Sequence, residues 1–394
     1  MSLFVDLFLL NSQILYYIIE SSGPEGNETG KSIIKSKRSD CYRMNAKLIL
    51  ENGLCFEGKA FGAPVSTSGE VVFNTGMVGY PEALTDPSYY GQILTSTYPL
   101  IGNYGVPDEK ETDICKRHWE SDKIQAFGFI ISNLSDIHSH WNADMSLDEW
   151  LKKECIPGIA GIDTRALTKV LRESGTMLGK IVVNDQDVDF YDPNKDLLIE
   201  KVCVKEPVEY GDGDKTVLLL DFGCKNSIIS NVVKRGFKVI RVPYYYDYSN
   251  IKYDGIVLSS GPGDPSQYTF MTEKIKAFMD EKKPMLGICL GHQLLALTAG
   301  AKTYKLGYGH RSQNQPVIDR LTSRAYVTTQ NHGYAVDMKT IPTGFISWFE
   351  NLNDKTNEGL WHKNLPVLST QFHPEAMPGP VDTGFIFDEF KRCF

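Results

Sequence analysis

Residues 284–293 read Pro-Met-Leu-Gly-Ile-Cys-Leu-Gly-His-Gln, and an apolar stretch, Leu294, Leu295, Ala296 and Leu297, follows directly. The short apolar run reads as a buried strand and the segment after it as a helix. Gly-x-Cys-x-Gly between them marks a tight strand-to-helix turn that lifts Cys289 above a sheet. Gly287 and Gly291 suit that turn because a Cβ at either position would crowd the neighbouring strand and helix. A thiol at the apex meets the N-terminal end of a helix, where the dipole and free N–H groups favour the thiolate. The alternative is a buried core cysteine, and this stretch alone leaves the two readings level.

Outward from the turn, apolar strands alternate with helices from Thr216 onward. Strands are expected at 217–221, 239–242, 255–259, 284–288 and 367–371, and helices at 226–235 and 272–280. This grammar predicts an α/β fold: a doubly wound, mostly parallel sheet over 216–394 with helices on both faces. Ligands of such sheets bind beyond the carboxyl ends of the strands, where Cys289 would sit. The preceding stretch, 44–195, reads differently. Short strands at 47–50, 55–58, 70–74 and 126–131 are broken by Gly, Pro and Asp, with helices at 147–153 and 163–173. In the second helix Asp163 or Thr164 would cap, and Leu167, Val170 and Leu171 would form the buried face. This is a β-rich α/β domain of its own. A polar linker, 196–215, joins the two, and 1–43 is an unassigned, flexible N-terminal extension rich in Ser, Gly, Lys and Arg from residue 21.

The chain has 394 residues, enough for two or three domains, with 42% hydrophobic and 23% charged residues, as a globular protein has. A net charge of −8 recommends neither nucleic acid nor an anionic membrane as a partner. No apolar run approaches the length of about 18 residues needed to span a bilayer. The first twenty residues lack the basic start of a secretory signal and the Arg-rich character of a mitochondrial presequence. Eight cysteines without a C-x-x-C pair point to a reducing compartment, cytoplasmic rather than mitochondrial.

A cysteine nucleophile needs a base and a group to orient that base. Phe372-His373-Pro374-Glu375 follows a strand near the C-terminus, and the proline holds His373 and Glu375 in a rigid extended turn. A surface turn is the competing reading. Ser259-Ser260-Gly261-Pro262-Gly263-Asp264-Pro265 follows another strand, and its glycines let backbone N–H groups approach a ligand. The N–H groups of Gly261 and Leu290 are the candidate oxyanion donors. The loop lacks the Lys and Ser/Thr of a phosphate-binding loop. His138 and His140 read as a solvated loop, since no further Cys or His lies at ligand spacing, so no metal is expected.

These three motifs, in this order, resemble the class I (triad) glutamine amidotransferases. Gln330-Asn331-His332-Gly333-Tyr334 and Gly300-Ala301-Lys302-Thr303 strengthen the resemblance. The first domain narrows it through Gly69-Glu70-Val71-Val72-Phe73-Asn74-Thr75-Gly76, Gly79-Tyr80-Pro81-Glu82 and Thr85-Asp86-Pro87-Ser88-Tyr89. Asp163-Thr164-Arg165 and Gly175-Thr176-Met177-Leu178-Gly179 add to it. Over residues 45–394 the chain resembles the small, glutaminase subunit or domain of carbamoyl phosphate synthetase.

The resemblance implies a triad of Cys289, His373 and Glu375 that hydrolyses L-glutamine through a γ-glutamyl thioester to glutamate and ammonia. It implies substrate contacts from Ser88, Gly261, Gly263, Leu290, Gln293, Asn331, Gly333 and Tyr334, with Ser88 reaching the pocket from the first domain. It also implies a partner, the large synthetase subunit or a fused domain, which uses ATP, Mg and bicarbonate; no cofactor is expected in this chain itself. Some relatives lose the elbow cysteine and use free ammonia; Cys289 is present here, so glutamine use is expected. Ser312 stands where relatives usually carry Gly. The readings from other classes are another thiol γ-glutamyl hydrolase or amidotransferase, and a non-catalytic regulatory scaffold.

Overall fold

The computed structural model describes residues 44–108 and 118–394, so the expected extension 1–43 lies outside the described residues. The first half carries β1 (Asn45–Leu50), β2 (Cys55–Gly62), β3 (Thr67–Asn74), β4 (Gln92–Ser96), β5 (Leu100–Ile101), β6 (Gly128–Ile130), β7 (Asn133–Leu134), β8 (Pro157–Ala160) and β9 (Met177–Val183). Its helices are α1 (Tyr80–Thr85), α2 (Leu147–Lys153) and α3 (Thr164–Ser174). Seven of the strands, in the order β1-β2-β8-β6-β4-β3-β9, close into a barrel as β9 returns to pair with β1. Leu48 shows how: it lies opposite Phe56 on one side and Ile181 on the other. Leu48, Ile93, Ile130 and Ile181 pack in one cluster with Leu167 and Leu171 of α3. Phe61, Val72 and Phe129 pack in another with Trp150 and Leu151 of α2. Asp163 caps α3, its Oδ1 accepting the Ala166 N–H at 2.9 Å.

The second half begins with α4 (Ile199–Val202) and β10 (Val208–Tyr210). Then follow β11 (Lys215–Asp221), α5 (Asn226–Lys234), β12 (Phe237–Pro243), β13 (Gly255–Leu258), α6 (Thr272–Asp280), β14 (Met285–Ile288) and α7 (Leu290–Thr298). The chain ends with β15 (Thr303–Asp319), β16 (Ala325–Val336), β17 (Phe345–Asn351), β18 (Asn357–His362), β19 (Val367–Thr370) and α8 (Phe385–Arg392). These strands form one ten-stranded sheet, β10-β12-β11-β13-β14-β19-β18-β17-β15-β16. The five strands from β12 to β19 run parallel, as the alternating pattern predicts, and four antiparallel strands extend the sheet beyond β19. Alternate residues of β11 face opposite ways. Leu218 and Leu220 pack with Ile275 of α6 and Leu294 of α7, whereas Val217 and Leu219 pack with Ile229 of α5 and Phe387 of α8.

The expectation of a linker at 196–215 needs correction. Ile199 and Cys203 are buried in the core, and β10 pairs antiparallel with β12. β10 is an edge strand, and its exposed polar side, including Glu209 bonded to Lys238 at 2.7 Å, is what reads as linker composition.

Beyond β11 the chain must turn sharply toward α5, and Asp221 organises that turn. Its fully buried carboxylate accepts the N–H groups of Gly223 and Cys224 at 2.9 and 2.7 Å. It also accepts the Val204 N–H at 2.8 Å and the Arg241 Nε–H at 2.7 Å. Asp221→Ala strands the buried Arg241 guanidinium and should lower unfolding free energy by roughly 3–5 kcal/mol. Glu209→Gln, at the surface pair, should change it by less than about 1 kcal/mol. Urea unfolding of the two variants checks the contrast.

Candidate active site

Backbone hydrogen bonds and close-packed glycines build the position of Cys289. Cys289 follows β14 with φ 53° and ψ −103° and caps α7. A non-glycine residue held there carries strain of about 1–3 kcal/mol, which the surroundings must over-determine. They do so through the backbone: the Cys289 N–H donates to Thr370 O of β19 at 2.8 Å, and its carbonyl accepts from Gln293 N at 3.1 Å. The flanking glycines are sterically required. A Cβ on Gly287 would stand 2.8 Å from Gly291 O, and one on Gly291 would stand 2.2 Å from Leu258 O. The Leu290 N–H lies in the first turn of α7, where no intrahelical acceptor exists.

Around the buried Cys289 sulfur, the structure brings the other expected residues together. His373 is buried, and its Nδ1 lies 2.6 Å from Glu375 Oε1. Its Nε2 is buried without a hydrogen-bond partner, the ring nitrogen left over for a thiol or a leaving group. Strand pairing holds His373, whose N–H donates to Thr329 O at 2.9 Å. Burial disfavours the imidazolium, but the Glu375 carboxylate outweighs it and raises the His373 pKa, with the Cys289 side chain adding to the rise. Burial likewise disfavours the Glu375 carboxylate, yet Lys225 and His373 hold its pKa well below the usual range.

Seven of the eight expected substrate contacts line one cavity with Cys289: Ser88, Gly261, Gly263, Gln293, Asn331, Gly333 and Tyr334. Leu290 is next to the nucleophile in the chain, one residue into α7. Ser88 enters from the barrel half, as expected, and its buried hydroxyl has no hydrogen-bond partner. Gly263 has φ +94°, and a Cβ there would collide with Tyr268 Oη. Gln293 is set by its Nε2, which donates to Tyr334 O at 2.8 Å and to Gln371 Oε1 at 2.9 Å.

Four features were not legible in the sequence. Gln371 Nε2 donates to the Cys289 sulfur at 3.7 Å, so this residue touches the nucleophile as well as Gln293. Lys225, fully buried, places its Nζ 3.0 Å from Glu375 Oε1 and 2.8 Å from Met377 O. Asp86 joins the two halves, accepting the Ser88 N–H at 2.9 Å and the Asn331 Nδ2–H at 2.9 Å. At the cavity wall Glu70 accepts from Lys305 at 2.8 Å, with Arg311 close by. Burial opposes the Glu70 carboxylate, but Lys305 and Arg311 outweigh it and lower its pKa. The residues flanking Gln371 and Lys225 carry clues only in hindsight; Asp86 and Glu70 lie inside motifs quoted above without a role of their own. His138 and His140 lie outside this cluster; the His140 Nδ1 accepts the Asn142 N–H within an exposed loop.

A thiol beside an imidazole that a buried carboxylate orients can attack an electrophilic carbon, and the cavity would present that carbon to it. Comparison with known proteins agrees in family. The model described as "Carbamoyl-phosphate synthase small chain, CPSase domain" matches residues 48–181, and "Glutamine amidotransferase class-I" matches 218–393. The chain is 46% identical over 364 residues to "Carbamoyl phosphate synthase arginine-specific small chain" of Yarrowia lipolytica, covering 88% of this chain and 81% of that protein. It is 47% identical over 350 residues to "Carbamoyl-phosphate synthase [ammonia], mitochondrial" of Mus musculus. It is 48% identical over 356 residues to "Multifunctional protein CAD" of Squalus acanthias. It spans only 23% and 16% of the length of those two longer relatives. With a small chain matched over most of its length and both domain models in the same order, this chain belongs to the carbamoyl phosphate synthase small-chain family.

Proposed function

We propose that this chain is the glutaminase component of a glutamine-hydrolysing carbamoyl phosphate synthase. The observation that carries the reading is the strained Cys289 held beside a buried His373–Glu375 pair at the end of a cavity lined from both halves. His373 takes the thiol proton, and the sulfur attacks the side-chain carbonyl carbon of L-glutamine. The N–H groups of Gly261 and Leu290 receive the developing oxyanion. His373 returns the proton to the departing ammonia, leaving a γ-glutamyl thioester; it then activates water, which releases glutamate and restores the thiol. Ser88, Gln293, Asn331, Gly333 and Tyr334 orient the zwitterion.

The ammonia passes to a synthetase, a large subunit or a fused domain, which joins it to bicarbonate with ATP and Mg. Keeping ammonia from bulk water preserves its unprotonated, nucleophilic form. The barrel half supports this reading over another thiol amidase, because it supplies Ser88 and Asp86 to the cavity and matches the small-chain model. Cys289 with its partners supports glutamine use over a scaffold role and over an ammonia-only reaction of the kind named for the mouse relative. We place the chain in a reducing, cytoplasmic compartment, a reading supported by six free thiols among the described residues. No helix among the described residues is long and apolar enough to cross a membrane.

Cys289→Ala should abolish glutamine hydrolysis. Reconstituted with the synthetase, it should still make carbamoyl phosphate from ammonium, bicarbonate and ATP. Loss of both nitrogen routes in a folded, bound variant contradicts the division of labour.

His373→Asn should slow hydrolysis by roughly 10²–10⁴-fold, the span of general acid–base catalysis. Glu375→Gln should cost less and also change the pH profile. The carboxylate raises the His373 pKa, so the imidazolium survives to high pH in the unmodified protein. Removing that charge lets the imidazolium deprotonate earlier, and the alkaline limb of kcat/KM should move to lower pH. A limb that stays in place rules out the role given to Glu375.

A further inference from the structure

Behind the substrate strand lies a second cluster that the hydrolysis does not use. His310 on β15 stands directly opposite His332 on β16 in the strand register, and Glu358 on β18 reaches the same spot. All three are buried, and one donor atom from each lies within 4.8 Å of the others. Each side chain is oriented from outside the cluster. His310 Nε2 lies 2.9 Å from the Asp354 carboxylate, which leaves Nδ1 facing inward, 3.3 Å from Glu358 Oε1 and without a hydrogen-bond partner. His332 Nδ1 lies 2.8 Å from Tyr334 O, which leaves Nε2 facing inward, 3.9 Å from Glu358 Oε1. Glu358 Oε1 accepts from Thr356 Oγ1 at 3.1 Å, while Oε2 is buried without a partner. Gln330 Oε1, 3.1 Å from His332 Nε2, offers a further oxygen on the same side.

We infer that His310, His332 and Glu358 form a binding site for a zinc-class divalent metal ion. Two imidazoles and a carboxylate are a donor set that zinc accepts. Imidazoles whose outer nitrogen is held by a carboxylate or a backbone carbonyl are the form in which histidine binds metal, because the tautomer and ring direction are preset. Bonds of about 2.0–2.2 Å need donors roughly 3.3–3.6 Å apart, so a modest contraction of the cluster completes the site. The ligands are far apart in the chain, which is why spacing along the sequence does not reveal them. His332 lines the cavity together with Asn331 and Gly333, so a bound ion pins that strand of the wall.

The test uses the full chain, freed of metal with a chelator and titrated with cobalt(II) as a spectroscopic substitute for zinc. The expected result is uptake of about one equivalent, with visible ligand-field bands and no thiolate-to-cobalt charge transfer, reversed by added zinc. His310→Asn and Glu358→Gln, checked for folding by circular dichroism, should each weaken binding by about tenfold or more. Three results overturn the site: no saturable uptake, thiolate charge transfer that places the metal on a cysteine, or affinity unchanged in both folded variants. Should both variants misfold, the unmodified protein decides, because a weak octahedral cobalt spectrum of the kind that oxygen ligands give excludes the two imidazoles as ligands.

Discussion

The buried ion pair between Lys225 and Glu375 is the contact on which the site depends. Both side chains are almost wholly out of water, and Lys225 lies in the field of Glu120 and Asp86 from the barrel half as well as of Glu375. Desolvating two such charges is expensive, and each is tolerable only because the other is present. The pair ties α5 to the C-terminal turn, and through Glu375 it sets the orientation and charge of His373. Asp221 stands behind it, shaping the turn from which Lys225 projects. A local change to any of these groups is therefore felt at the nucleophile.

The second dependence is the seam between the halves. The parallel sheet supplies the thiol, the Gly261–Gly263 loop and the imidazole, all beyond the carboxyl ends of its strands, as such sheets do. It does not by itself enclose the cavity. Asp86 and Ser88 close one wall, with Asp86 bonded to Asn331; Glu70, bonded to Lys305, closes another. Ser227 takes further support from Glu120, whose Oε2 accepts its Oγ–H at 2.7 Å. A cavity assembled in this way responds to anything that shifts the barrel against the sheet.

Much of this was legible because it is local. Gly287, Cys289 and Gly291 announce the turn through steric demands: a Cβ on Gly287 would meet Gly291 O at 2.8 Å within the turn, and one on Gly291 would meet Leu258 O of the neighbouring strand at 2.2 Å. Helices 147–153 and 272–280 coincide with the ranges expected from the sequence pattern. The strand expected at 126–131 shortened to Gly128–Ile130, since apolar residues past its ends belong to core packing and not to the ladder. β15 and β16 were invisible to pattern. Their polar, irregularly buried residues, with register breaks between Lys305 and His310 and between Ser312 and Gln315, show no clean alternation.

The sequence by itself determined the local framework at the centre: a cysteine on a glycine-flanked turn, a His-Pro-Glu segment after a strand, and a glycine-rich loop after another. Each is a demand of sterics or dihedral angle that the residue types themselves announce. Only the tertiary structure decided what surrounds that centre. The closed barrel, the edge strand at 208–210, the Lys225–Glu375 and Asp86–Asn331 bonds, and the His310–His332–Glu358 cluster all join residues distant in the chain. The His310–His332–Glu358 cluster in particular follows from which strands pair and in what register, and a one-residue slip would turn those three side chains to the other face.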